Sequence, residues 1–163
     1  MARANGRNWE PWCAASAPTP ADIEGPFYKA GAPARSSLIE PGSKAEKLVL
    51  TGQVLQADCK PLAKVTLDFW HADEQGAYDN AGFRYRGLVT TDAQGRYRLE
   101  TILPPPYTGR PRHIHVKVRR SGGKELTTQL YFPGESRGAD RELVVKMHRG
   151  PSELLATFDF VLF

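Results

Sequence analysis

No apolar run in the 163-residue chain approaches the 18 or more residues of a membrane span, and residues 1–20 lack the apolar stretch of a secretion signal. The expectation is a soluble chain, either cytoplasmic or exported after loss of a leader. Cysteine is scarce. Cys13 and Cys59 have no metal-type spacing; they permit one disulfide closing a loop of about 46 residues, and two separate buried thiols fit equally well. A stripe of one charge sign is also missing: 22 basic and 18 acidic residues are interspersed, and the densest basic stretch, Arg110 to Arg120, is broken by His, Ile and Val. That excludes a nucleic-acid-binding face, while the net charge of +4 still favours small anions near a cleft. Long helical periodicity is absent as well.

Proline is abundant: 13 residues exceed the usual share of about 5%, which favours short strands and loops over helices. The length suits a single domain. Residues 1–46, rich in Pro, Ala, Gly and Ser, have no sustained period and read as an irregular N-terminal arm. From residue 47 to 163 alternation takes over. Leu48, Leu50 and Val54 share a face, and Val65, Leu67 and Phe69 alternate with Thr66 and Asp68 as a half-buried strand requires. Residues 91–99 read as a hairpin turning at Gly95, and three prolines at 104–106 stop the return strand. Strands follow at 113–119 and 126–132, and residues 157–163 close the chain as a last strand. Short strands at this spacing predict an all-β fold, an antiparallel β-sandwich carrying an irregular arm.

On the strand at 113–119, Ile114, Val116 and Val118 face one way; His113, His115 and Lys117 face the other. A His-x-His pair on a strand can hold one metal, because side chains repeat every second residue. Two surface or hydrogen-bonded histidines are the other reading of such a pair. Carboxylates that could complete a zinc hydrolase or cupin-like site (Asp68, Asp73, Glu74, Asp79, Asp92) all lie on earlier strands or turns. Tyrosines are more conspicuous: Tyr78 in a Gly-containing turn after Trp70, and Tyr107 in a Pro-locked loop before His113. A phenolate is a hard anionic donor suited to Fe(III).

Trp-His-Ala-Asp-Glu-Gln-Gly-Ala-Tyr at 70–78, Pro-Pro-Tyr-Thr-Gly-Arg-Pro-Arg-His-Ile-His at 105–115 and Thr-Thr-Gln-Leu-Tyr-Phe at 127–132 together resemble the intradiol ring-cleavage dioxygenases. Glu-Gly-Pro-Phe-Tyr at 24–28 is similar to that family's segment at the pocket mouth, and the resemblance covers roughly residues 20–135. It implies a non-haem Fe(III) held by Tyr78 and His113 as equatorial ligands and by Tyr107 and His115 as axial ones. Tyr107 would be the ligand that leaves when a catechol binds through both oxygens. It further implies Arg110 as the cation stabilising charge on the substrate carbon, Gln129 as a pocket donor, and Gly25, Pro26 and Tyr28 beside the substrate, although Tyr28 could equally anchor the arm. The implied reaction uses O2 to cleave the diol between its hydroxyl-bearing carbons, giving a cis,cis-muconate-type product. Catechol itself, hydroxyquinol, a carboxylated catechol and a plant polyphenol all fit. The resemblance leaves no room for the N-terminal helical domain with which larger members dimerise, so a monomer is expected, and compact members of this type are often exported, with Cys13 then pinning the arm to Cys59.

His71 reads as a packed or hydrogen-bonded histidine, His148 as solvent-exposed, and Tyr85, Tyr97 and Tyr131 as core or cross-strand aromatics. A competing resemblance remains. Residues 51–62 followed by 91–99 are also similar to non-catalytic β-sandwich binding modules of the transthyretin or carboxypeptidase-regulatory type. Such a module has no need of two tyrosines, an arginine and His-x-His in the dioxygenase order.

Overall fold

A computed structural model describes residues 17–106, 109–135 and 141–163. The alternating segments form β1 (Lys47–Gln56), β2 (Thr66–Trp70), β3 (Arg86–Thr90), β4 (Arg96–Ile102), β5 (His113–Arg119), β6 (Leu126–Tyr131), β7 (Lys146–Arg149), β8 (Leu154–Thr157) and β9 (Phe160–Leu162). Among the described residues the only helical element is a single 3-10 turn at Arg141–Leu143. One sheet runs β4-β1-β8-β7 with β9 also on β1; the other runs β3-β2-β5-β6. Two sheets face to face make a β-sandwich, as the alternation requires.

The apolar set read from the sequence fills the space between the sheets. Leu48, Leu50 and Val54 of β1, Leu67 and Phe69 of β2, and Ile114, Val116 and Val118 of β5 are all essentially inaccessible. Each such side chain contributes roughly 1.5–3 kcal/mol on burial, so a one-residue slip of β5, which would turn all three outward, is strongly disfavoured. That penalty is what fixes His113 and His115 on the outer face.

Two features depart from the expected pattern. The closing strand is broken at Phe158 and Asp159 into β8 and β9, and both run parallel to β1, so the first sheet is not purely antiparallel. Phe158 N donates to Thr51 O and Gln53 N donates to Asp159 Oδ1, which lets the chain step out of one ladder and rejoin β1 further along. The second departure is on the outer face of β5, where His113, His115 and Lys117 are only 4%, 3% and 6% exposed. Alternation alone makes that face polar and open; the N-terminal arm covers it.

The arm is laced to the sandwich throughout its described length. Thr19 N donates to Val161 O, Asp22 N to Thr127 O, Arg35 N to Leu88 O and Leu38 N to Glu100 O. Thr128 Oγ1 donates to Pro20 O at 2.8 Å. The division at residue 46 therefore marks a change of regularity within one packed unit. Cys59 is in a disulfide; Cys13 lies outside the described residues.

Candidate metal centre

Antiparallel pairing sets the site in cross-strand rows on the outer face of the second sheet. Trp70 of β2 stands opposite His115 of β5, and His115 stands opposite Gln129 of β6; in the next row His113 stands opposite Tyr131. Adjacent rows on one face bring side chains within contact distance, and here they gather two imidazoles, an amide and a phenol.

Tyr78 enters from the β2–β3 loop. Two aspartates stiffen that loop on either side of it. Asp73 Oδ1 accepts from Gln75 N at 2.9 Å and Ala77 N at 3.0 Å. Asp79 Oδ1 accepts from Gly82 N at 2.8 Å, and its Oδ2 accepts from Arg84 N at 2.9 Å. The backbone donors of Gly82 and Arg84 hold the Asp79 carboxyl down to about 2. The buried Arg86 guanidinium donates through Nε to Asp79 O at 2.9 Å, fixing the backbone next to Tyr78 from below.

The result is a convergence on one atom. Tyr78 Oη lies 3.2 Å from His113 Nε2 and 3.1 Å from His115 Nε2. His113 Nδ1 is 2.7 Å from Pro111 O, and a carbonyl can only accept, so Nδ1 carries the proton and the Nε2 lone pair points at the site. The His115 ring is held by stacking on Trp70, with centroids 4.8 Å apart and planes 7° from parallel. Burial lowers both imidazoles, His115 to about 2 with further repulsion from His113 and Arg110. Both are therefore neutral at physiological pH, the form that donates to a metal.

Arg110 comes from the loop before β5. Its Nη2 donates to Gln129 Oε1 at 2.8 Å and to Tyr131 Oη at 3.0 Å. Gln129 Nε2 donates to Ile23 O at 2.9 Å, joining the network to the arm. Above His115 sits Gly25, with φ of +73°; a Cβ there would meet His115 Cε1 at 3.5 Å. Phe27 stacks on Tyr78 at 4.5 Å. Tyr28 has the contacts of an arm anchor: its hydroxyl donates to Asp68 Oδ2 at 2.9 Å and accepts from Arg119 Nη2 at 2.7 Å. Pro26, between Gly25 and Phe27, belongs to the same covering segment. Tyr107 lies outside the described residues.

The candidate carboxylates are engaged elsewhere. Asp73 and Asp79 cap their own turn, Asp68 binds Tyr28 and Arg119, and Glu74 accepts from Ser43 and Tyr85. Asp92 caps the β3–β4 hairpin by accepting from Gln94 N and Arg96 N. Among the described residues no group of three or more His, Cys, Asp or Glu is placed to hold a metal. A phenol oxygen and two neutral imidazoles are the donor set the site offers. That set fits a hard, multiply charged ion that phenolate can ligate.

His71 is buried, with Nδ1 2.7 Å from Ala72 O and Nε2 2.7 Å from Thr101 Oγ1. The carbonyl assigns the proton to Nδ1, leaving Nε2 to accept from Thr101. His148 is exposed. Tyr97 fills the core and donates to Phe158 O at 2.7 Å. Tyr85 packs in the core too, although it lies in the turn before β3 and not in a strand. Tyr131 was expected in the core and is 2% exposed, yet its hydroxyl belongs to the Arg110 network. Its place in the Gln129 face, two residues on, was the available signal. Asp22, which accepts from Tyr131, had none.

Burial lowers the His71 imidazole to about 4 from its usual 6.5. The unfolded chain therefore takes up a proton that the folded one refuses, so this contribution is complete above pH 6.5 and is lost as pH falls towards 4. At about 1.4 kcal/mol per unit, metal-free protein should lose roughly 2 kcal/mol through His71 between pH 6.5 and 5. His113 and His115 act in the same direction. Urea unfolding of wild type and His71→Asn across this range should show a shallower decline in the variant; equal slopes would contradict the assignment.

The family model described as Dioxygenase matches residues 23–162. A chlorocatechol 1,2-dioxygenase from Pseudomonas sp. (strain P51) is 34% identical over 137 residues, covering 69% of this chain and 55% of that protein. A catechol 1,2-dioxygenase from Acinetobacter baylyi is 35% identical over 146 residues, covering 72% of this chain and 47% of its own length. The chain thus spans about half the length of these curated relatives. Among solved structures, the dioxygenase domain of a dioxygenase carbohydrate-binding protein fusion from Streptomyces sp. SirexAA-E superposes with a TM-score of 0.86 at 46% identity, covering 90% of this chain and 98% of that one. Catechol 1,2-dioxygenase from Pseudomonas arvilla C-1 superposes with a TM-score of 0.79 at 31% identity, covering 89% and 62%. With the match running through the arm, the Tyr78 loop, the His-x-His strand and the Arg110–Gln129 pair, this chain belongs to the intradiol ring-cleavage dioxygenase family.

Proposed function

We propose that the chain is the catalytic unit of a non-haem Fe(III) dioxygenase that cleaves a catechol-type diol between its hydroxyl-bearing carbons with O2, giving a cis,cis-muconate-type product. The observation that carries this reading is that His113 Nε2 and His115 Nε2 both lie within 3.2 Å of Tyr78 Oη, while among the described residues no group of three or more His, Cys, Asp or Glu is placed to hold a metal instead. These three residues, with Tyr107 as the family's fourth ligand, would hold the metal. A ferric ion held there would supply Lewis acidity, which lowers the pKa of a bound diol and so favours its deprotonated, electron-rich form.

The chain's own groups do the rest. The Pro111 carbonyl and the Trp70 ring keep the two imidazoles in their ligating orientation. Gly25 and Phe27 close the side facing the arm and limit water, which strengthens every electrostatic contact inside. Arg110 places a guanidinium at the edge of the pocket. Its Nε and Nη1 hydrogens have no partner among the described residues and are available to negative charge developing on the ring. When the diol binds, its two protons would go one to the Tyr107 phenolate, the departing ligand that the resemblance implies, and one to solvent hydroxide. A binding module of the transthyretin type requires none of this apparatus.

Iron-loaded protein should be wine-red from phenolate-to-iron charge transfer, and anaerobic catechol should shift the band. Admitting air should consume one O2 per catechol, with both oxygen atoms recovered in the ring-opened acid. A colourless chain that fills with zinc, or one that takes up no O2 across a panel of catechols, would overturn the proposal.

A further inference from the structure

Arg110 is held by more than its neighbour Gln129. One hydrogen of its Nη2 goes to Gln129 Oε1 at 2.8 Å and the other to Tyr131 Oη at 3.0 Å. The Tyr131 hydroxyl, having accepted that bond, donates to Asp22 Oδ2 at 2.6 Å. Gln129 in turn donates from Nε2 to Ile23 O at 2.9 Å. Asp22 and Ile23 are consecutive in the arm, so the four side chains and the backbone joining these two residues close a ring, across which Tyr131 Oη also lies 3.0 Å from Gln129 Oε1. Gln129 is fully buried and Tyr131 2% exposed, so the bonds between them operate largely out of water.

From this ring we infer that Asp22 and Tyr131 are positioning residues for Arg110, by which the N-terminal arm sets the aim of the guanidinium at the substrate. The inference rests on the function proposed above. Arg110 lies between β4 and β5, outside both strands, with its backbone in an isolated β-bridge. A guanidinium on such a support carries about 2 kcal/mol of rotamer freedom. Fixing one nitrogen of a planar fork at two points fixes the plane, and with it the direction of Nε and Nη1. The Asp22 carboxylate ends the chain with a charge, and charge-assisted bonds are about twice as strong as neutral ones. The arm itself is anchored independently by Asp22 N to Thr127 O and Thr128 Oγ1 to Pro20 O. The ring is therefore not needed merely to keep the arm in place.

The test uses the full chain with Tyr131→Phe, Asp22→Asn and Arg110→Ala, alone and in pairs. Tyr131→Phe should lower kcat by about tenfold or more, with KM for catechol changed less than threefold, because a misaimed group acts on the transition state. Asp22→Asn keeps an acceptor without its charge and should lower kcat about threefold. In the Arg110→Ala background neither change should cost more than a further twofold. Thr128→Val, which removes an arm anchor outside the ring, should keep wild-type kcat. Losses that multiply in the double variants, or a folded Tyr131→Phe with full kcat, would overturn the inference. A readout without iron separates it from the catalytic proposal. In metal-free protein, nitrogen-edited NMR should show the Arg110 Nη2 hydrogens protected from solvent exchange in wild type and exposed in Tyr131→Phe. Rapid exchange in the wild type would sink the positioning role whatever the activity. Protection without dioxygenase activity would overturn the proposed function alone.

Discussion

Tyr78→Phe, expressed with iron, should lose most of the visible charge-transfer band and bind ferric iron at least about 10–100-fold more weakly, the loss that even outer-shell changes cause at metal sites. The expectation follows from position. Among the described residues Tyr78 Oη lies within 3.2 Å of both imidazole Nε2 atoms, so its removal takes away the oxygen donor at the vertex of the described set. The loop that carries it does not depend on the hydroxyl, because Asp73, Asp79 and Arg86 hold the backbone on both sides. Phe should keep the stack on Phe27 and leave the fold intact. Tyr85→Phe is the matched control. Tyr85 Oη donates to Glu74 Oε2 at 2.6 Å, away from the imidazoles, and the variant should keep the band while losing about 1 kcal/mol of stability. Absorption spectra, iron titration and urea unfolding of the three proteins measure all of this. A Tyr78→Phe chain as red as wild type would mean the ligand is another residue.

What could be read from the sequence divides along physical lines. The strand bearing the two histidines was legible because a period of two is local, and its bounds at 113 and 119 agree with β5. The carriage of Gln129 on the same face as the pair follows from the same rule applied to β6. The hairpin at Gly95 was legible from turn chemistry, with Asp92 accepting from Gln94 N and Arg96 N. The parallel addition of β8 and β9 to β1 was not, because that pairing joins residues about a hundred positions apart and nothing local selects its direction. The arm was legible only in part: the resemblance at 24–28 put that segment at the pocket mouth, but an irregular segment has no period to say which face its other residues cover, and Asp22 looks like any exposed acid. The buried Lys117 could have raised the question. A lysine on the outer face of a central strand needs a partner when covered, and Glu24 Oε1 supplies it at 2.6 Å. Tyr131 was expected in the core or a cross-strand pair, and its ring is buried opposite His113; what its type did not signal is the hydroxyl's bonds to Arg110 and Asp22.

Arg110→Ala should leave the resting colour unchanged and still reduce kcat by roughly 10²–10³-fold, the usual consequence of removing a preorganised charge-stabilising donor. The two effects separate because Arg110 is not a metal ligand. Its bonds go to Gln129 and Tyr131, and those residues remain tied to Ile23 and Asp22 when it is gone. Truncation also removes a cation that opposes protonation of His113 and His115, so the imidazoles should titrate slightly higher than in wild type, the direction opposite to the lowering that Arg110 causes. Burial remains the larger cause at both rings, which keeps them neutral at pH 7 and the ligand set intact. Catechol binding under anaerobic conditions should therefore weaken far less than turnover. A fall in affinity as large as the fall in kcat would assign Arg110 to substrate binding, whereas a fall confined to kcat places its charge on the reacting ring. Arg110→Lys distinguishes charge from shape. It keeps the cation, but a lysine offers one nitrogen where the guanidinium offers three, and so cannot hold Gln129 and Tyr131 while presenting further donors to substrate. Its kcat should lie nearer the alanine variant than the wild type.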